Sequence, residues 1–280
     1  QQLNALSSSQ VQALTTSQVQ ALTSAQLNGV DTTQIANLST AQALALTSSQ
    51  LNALSSTAIQ SIETTDLVKL STTQLDALDV GQLNKLTTDQ VTAFVLNQLK
   101  SLNSAQLNGL ASTQLQALTT SQLNLLTTAQ VNLLESTQIN KLTTDQVSGL
   151  SAASVKAITS TAVNGLSTVV LNALTSSQVQ ALTSSQVQAL TTGTSGQLNS
   201  MDTQQLANLS TSQIQALTTV QLNALNSTAL QSLETLDISK LTTAQVSLLT
   251  TAQLHNLTTE QWAALPITPE VKPTQQSVQP

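Results

Sequence analysis

The chain has no cysteine, no arginine and no tyrosine, and only one tryptophan, one phenylalanine and one histidine in 280 residues. Without cysteine there are no disulfides and no thiolate metal ligands. The lone His255 leaves no nucleophile–base pair and no transition-metal cluster, so no catalytic residue, metal site or cofactor is expected, and an enzyme is the least favoured class. Aromatics make up 1% of the residues and the net charge is −6, which argues against nucleic-acid binding. No stretch approaches the ~18–20 apolar residues of a membrane span. Glycine is scarce, with seven residues, and all four prolines (Pro266, Pro269, Pro273 and Pro280) lie at the C-terminal end. Only 7% of residues are charged, yet 40% are hydrophobic, more than a disordered polar chain carries.

What is present is an eight-residue repeat. Leu174 to Leu190 reads LTSSQVQALTSSQVQAL. Counting the leucine as position 0, positions 1 and 2 are Thr or Ser, position 4 is Gln, position 5 is Val, Leu or Ile, and position 8 is the next leucine. The pattern runs from Leu6 to Leu190 and from Met201 to Leu265. Position 0 falls at 33 places and is aliphatic, Met201 or Phe94 at all of them. Position 5 is apolar throughout, and position 4 is Gln at 26 of 33, so the register is kept by packing.

Thr or Ser at position 1 with Gln three residues later is a capping box, in which each side chain takes a main-chain N–H at the helix start. The residues at positions 0 and 5 then stand where a hydrophobic staple places its pair. The cap alone contributes roughly 1 kcal/mol per start. Charge placement agrees. Of twelve acids within the repeats, eleven sit at positions 1 to 4 and only Asp76 at position 6, whereas six lysines sit at positions 6 and 7. Acids first and bases last match the dipole of a helix spanning one octad.

A continuous helix would turn about 80° too far per octad and smear its apolar stripe around the cylinder. A coiled coil needs a repeat of seven or eleven. A β-solenoid remains the alternative, since Thr and Val favour strands, but apolar spacings of five and three do not alternate, and glycine for sharp corners is rare. The sequence therefore predicts an all-α solenoid of very short capped helices, one per octad. Two buried aliphatic side chains, at ~1.5–3 kcal/mol each, do not offset the entropy of ordering eight residues, so neighbours must stack. Positions 0 and 5 should line the core, and positions 2, 3 and 6 should face water.

The expected organisation is a repeat array over 1–190, a three-residue insertion or kink over 191–200 with Gly193 and Gly196, a continued array over 201–265, and a Pro-rich extended tail or linker over 266–280. The chain begins in mid-octad without an initiator Met, which suggests a piece of something longer or a processed product. Residues 30–78 match 201–249 at an offset of 171, as SSTAIQSIETTDLVKL against NSTALQSLETLDISKL, which points to growth by duplication. Apolar residues interrupt polar positions at Phe94, Val95 and Leu96 and at Val169 and Val170. These are candidate contact patches, with local repacking as the plainer reading. Trp262 takes position 5 of the last octad as a further candidate contact residue or a plug of the core. Four glycosylation sequons, at Asn37, Asn208, Asn226 and Asn256, arise mostly where Asn at position 7 meets the next octad.

The units LTTDQV, LTTAQV and LTTSQL resemble the degenerate octapeptide repeats, L-[ST]-[ST]-x-Q-[VIL], of very large bacterial surface or secreted adhesin-like proteins, over residues 1 to about 265. The resemblance implies an extracellular or cell-surface repeat region with any binding head elsewhere. The leading expectation is a structural stalk or scaffold. A filament subunit stacking end to end is the alternative, and a carbohydrate- or surface-binding module the third. The expected partners are a second copy of the chain or adjoining domains of a longer one.

Overall fold

The structure is a computed structural model that describes residues 5–267. The expected linker over 266–280, with Pro269, Pro273 and Pro280, lies from residue 268 onward outside the described residues. Among those described there are 32 α-helices and no strand, which removes the β-solenoid alternative. The helices are four to six residues long, one per octad, running from α1 (Ser8–Gln12) to α32 (Thr259–Ala264).

Most octads start their helix with the capping box that the sequence predicts. At α11 (Thr88–Thr92) the N-cap Thr87 is extended, with φ −70° and ψ 161°. Its Oγ1 accepts the Gln90 N–H at 3.1 Å, and Gln90 Oε1 accepts the Thr87 N–H at 3.0 Å. One or two turns later the backbone becomes extended again, as at Leu54 with φ −62° and ψ 138°. No helix of this length persists alone in water, so stability comes from stacking.

The described residues form two compact units, divided between Leu134 and Glu135. Within each, a helix packs on the helix three places earlier. In the first unit α5 (Thr40–Ala45) lies on α2 (Thr16–Gln20), and α14 (Ser112–Ala117) on α11. In the second, α22 (Ser176–Ala181) lies on α19 (Ala152–Ala157). Positions 0 and 5 fill the core: Leu75 and Leu99 in the first unit, and Val179 and Leu222 in the second, are fully buried.

The ten residues from Thr191 to Ser200 sit inside the second unit. The capping box closes straight across them: Gln197 Oε1 accepts the Thr191 N–H, and Thr191 Oγ1 accepts the Gln197 N–H, both at 2.9 Å over a separation of six residues. The extra residues loop out from a box that keeps its geometry. Gly193 sits at φ +101° within the loop, a conformation that favours glycine. At Gly196 a Cβ would come within 2.4 Å of the Thr192 carbonyl, so the loop has room only for glycine there.

Candidate functional site

The feature that most organises side-chain chemistry is the glutamine of position 4. After its Oε1 has capped its own helix, its Nε2 points into the preceding superhelical turn. Gln90 Nε2 donates to Ile59 O and Ile62 O, both at 2.9 Å, 31 and 28 residues earlier. Gln50 repeats this with Val19 O at 3.0 Å and Leu22 O at 2.7 Å. Rungs of this kind recur up to Gln130 in the first unit, and from Gln178 to Gln261 in the second. The acceptors are the position 5 and position 0 carbonyls at a helix end, where intrahelical donors run out. One buried side chain thus satisfies a helix start and a helix end in adjacent turns. Gln10, Gln18 and Gln26 close their capping boxes but are exposed.

An offset of 28 residues is three and a half octads, which sets the turn at between three and four helices. Beyond the inserted residues the offsets become 34 and 31, as at Gln205, and they return to 31 and 28 by Gln245. The insertion is therefore bypassed and the rungs stay in line.

A second set of bridges comes from position 6, which was expected to face water. Asn28 Nδ2 donates to Ala53 O at 2.7 Å while its Oδ1 accepts the Ser55 N–H at 2.6 Å. Asn52, Asn84 and Asn199 make the same pair of bonds 25 and 27 residues ahead. Lysine at position 7 bridges in the other direction: Lys85 Nζ donates to Gln82 Oε1 at 2.8 Å and Leu54 O at 3.2 Å, in the preceding turn.

The residues singled out by sequence fall in different places. Phe94 and Val170 are buried in the core. Val95, Leu96 and Val169 are exposed, Val169 at 65%. Val95 is an N-cap without a side-chain acceptor, so only the Gln98 half of its capping box forms, at 3.1 Å. Trp262 is half-buried and His255 exposed. Sequence reasoning passed over other exposed apolar side chains, among them Leu133, Val220, Leu236 and Leu248, because each is a single substitution at an outward position. Two sequon amides are engaged locally: Asn37 Nδ2 donates to Thr33 O and Asn208 Nδ2 to Gln204 O.

An open groove of about 610 Å³ in the first unit is lined by Thr32, Thr33, Gln60, Glu63, Thr64 and Asp89, among others. It offers hydroxyls, an amide and two carboxylates to solvent. Among the described residues no group of three or more acidic, His or Cys side chains is placed to hold a metal ion, and no helix is long and apolar enough to cross a membrane.

Comparison with known proteins gives one family. The model of the ALTTAQ repeat matches residues 1–29, 59–95, 110–144, 155–192, 194–227 and 230–266. The six letters run from position 7 of one octad to position 4 of the next, and Leu126-Thr127-Thr128-Ala129-Gln130 matches the last five. No curated protein matches the chain.

Proposed function

The chain belongs to the ALTTAQ repeat family, and from that membership we propose that it is a structural segment, a stalk or scaffold of an extracellular or cell-surface protein, with no catalysis of its own. The observation that carries this reading is the glutamine ladder. The glutamine of position 4, the most constant polar residue of the repeat, is turned inward over most of the array and spent on joining successive turns. A repeat built this way gains length by adding octads, each bringing its own cap, core pair and rung, and the copied block over 30–78 and 201–249 is consistent with such growth. The cysteine-free, Ser/Thr/Gln-rich composition and the resemblance to adhesin-like octapeptide regions support a surface location.

Electron microscopy of the purified chain over a concentration series tests the reading. Isolated particles of one size at every concentration are expected. Long fibres with a fixed axial repeat would replace it with that of a filament subunit. The groove over Thr32, Gln60 and Glu63 favours one further role, weak binding of polyhydroxylated ligands. A glycan array in which no ligand distinguishes the parent from Glu63→Gln removes that role.

A further inference from the structure

Asp66 and Asp237 are the two places where an acid stands on the glutamine rung. They lie 171 residues apart at matching points of the duplicated block, and each is followed three residues later by lysine, Lys69 and Lys240. Both carboxylates are buried, with 7% and 5% exposure. Each accepts a hydrogen bond from a hydroxyl on the helix three places earlier, Thr40 Oγ1 and Thr211 Oγ1, both at 2.6 Å. A buried carboxylate is strongly unfavourable unless donors or a positive charge compensate it. An ionised acid also has no proton for the carbonyls that a glutamine amide meets. At these registers they are Ile35 O and Leu38 O for Asp66, and Leu206 O and Leu209 O for Asp237. The N-cap residues of these two helices, Glu63 and Glu234, make no side-chain cap bond.

A donor for these rungs lies three residues further on. Lys85, also at position 7, shows where an ammonium at that register reaches: Gln82 Oε1 three residues back and Leu54 O 31 residues back. Lys141 Nζ likewise meets Gln138 Oε1 at 2.9 Å. The same two steps from Lys69 lead to Asp66 and Leu38 O, and from Lys240 to Asp237 and Leu209 O. In the structure Lys69 and Lys240 are exposed, and a change of rotamer along the four-carbon stem moves the ammonium across. The acid and the lysine were retained together in the duplicate, whereas Asp76, Asp79 and Lys85 correspond to Ser247, Thr250 and Asn256.

We propose that Lys69 and Lys240 fold back onto these rungs, each ammonium between a buried carboxylate and a position 0 carbonyl, and so make two charge-dependent latches in a ladder whose other rungs carry no acid. Salt screens a partly exposed ion pair and leaves a buried amide–carbonyl rung almost untouched. The helices α8 (Thr64–Leu67) and α29 (Thr235–Ile238) are then the points at which the array loosens as ionic strength rises.

The test is hydrogen exchange on the full chain, read by mass spectrometry at low and high sodium chloride. Exchange over α8 and α29 should accelerate about threefold to fivefold with salt, the range of a partly exposed ion pair, while α22 stays constant. Lys69→Met keeps the apolar stem; it should abolish the salt response at α8 and leave that at α29. Asp66→Gln restores the neutral rung and is expected to fold, to lose the salt response, and to make Lys69→Met silent, which completes a double-mutant cycle. A parent chain whose α8 and α29 ignore salt overturns the proposal, and so does a Lys69→Met effect of equal size in the Asp66→Gln background.

Discussion

Gln90 shows what one side chain holds. It is 2% exposed, accepts from Thr87 N–H and donates to two carbonyls of the preceding turn. Its removal leaves the Thr87 N–H and the Ile62 carbonyl without partners and takes one of two donors from the Ile59 carbonyl, at about 1–3 kcal/mol for each group left unsatisfied, less what water recovers. Gln90→Ala should therefore cost roughly 2–4 kcal/mol in local stability, read from hydrogen exchange of α11. Gln18 makes the same capping box but is exposed, and Gln18→Ala should cost about 1 kcal/mol or less. Equal losses at both sites would mean that the inward amide contributes nothing. The sequence carried a sign of this second duty. A capping box accepts glutamate as readily as glutamine, yet position 4 is Gln at 26 places and Glu at none. Only the amide has a donor to offer the next turn. The partners were not legible, because they stand 28 and 31 residues away and no local pattern encodes that distance.

At the scale of the element, the helix start was legible in full. Position 1 and position 4 face each other within one turn, so local spacing suffices. What the helices do at their exceptions follows from the same geometry. Glu63 occupies an N-cap without capping it, so Glu63→Ser should raise the stability of α8 by roughly 0.5–1 kcal/mol, as a restored cap does. A thermal melt and exchange over α8 measure it, and no gain would show that the cap is already met by solvent. The segment 191–200 was open between a bulge and a kink, since sequence shows that three residues are extra but not which of them leave the array. The structure places the box between Thr191 and Gln197. Deleting Thr192, Gly193 and Thr194 leaves Leu190-Thr191-Ser195-Gly196-Gln197-Leu198, a regular octad start. That deletion should fold with unchanged helicity and a melting temperature no lower than the parent's. Gly196→Ala in the full-length chain brings a Cβ against the Thr192 carbonyl, and it should destabilise by about 1–3 kcal/mol, as overpacking does.

At the largest scale, each unit is a lattice in which an octad meets the octads three and four places away, and most octads offer the same caps and carbonyls to them. Length in such a lattice is adjustable only in whole octads. The segment Leu174–Ala181 has the same sequence, LTSSQVQA, as Leu182–Ala189, so removal of either gives one product. In that product each downstream glutamine still faces position 5 and position 0 carbonyls, now those of the neighbouring octad. The variant should keep the parent's helicity per residue by circular dichroism and melt close to it. Removing only Gln178–Ala181 takes out half a period. It turns position 5 and position 0 residues out of the core and moves the following rungs off their acceptors. The loss combines several buried aliphatic side chains, at roughly 1.5–3 kcal/mol each, with the hydrogen bonds of at least one rung. It should unfold the helices around the deletion, and helicity should fall by more than the four residues removed. If both deletions behave alike, the octad is a habit of composition and not the unit of assembly. If they differ as expected, selection on such a chain acts on how many octads it has more than on which residues fill its outer positions, as the stalk reading requires.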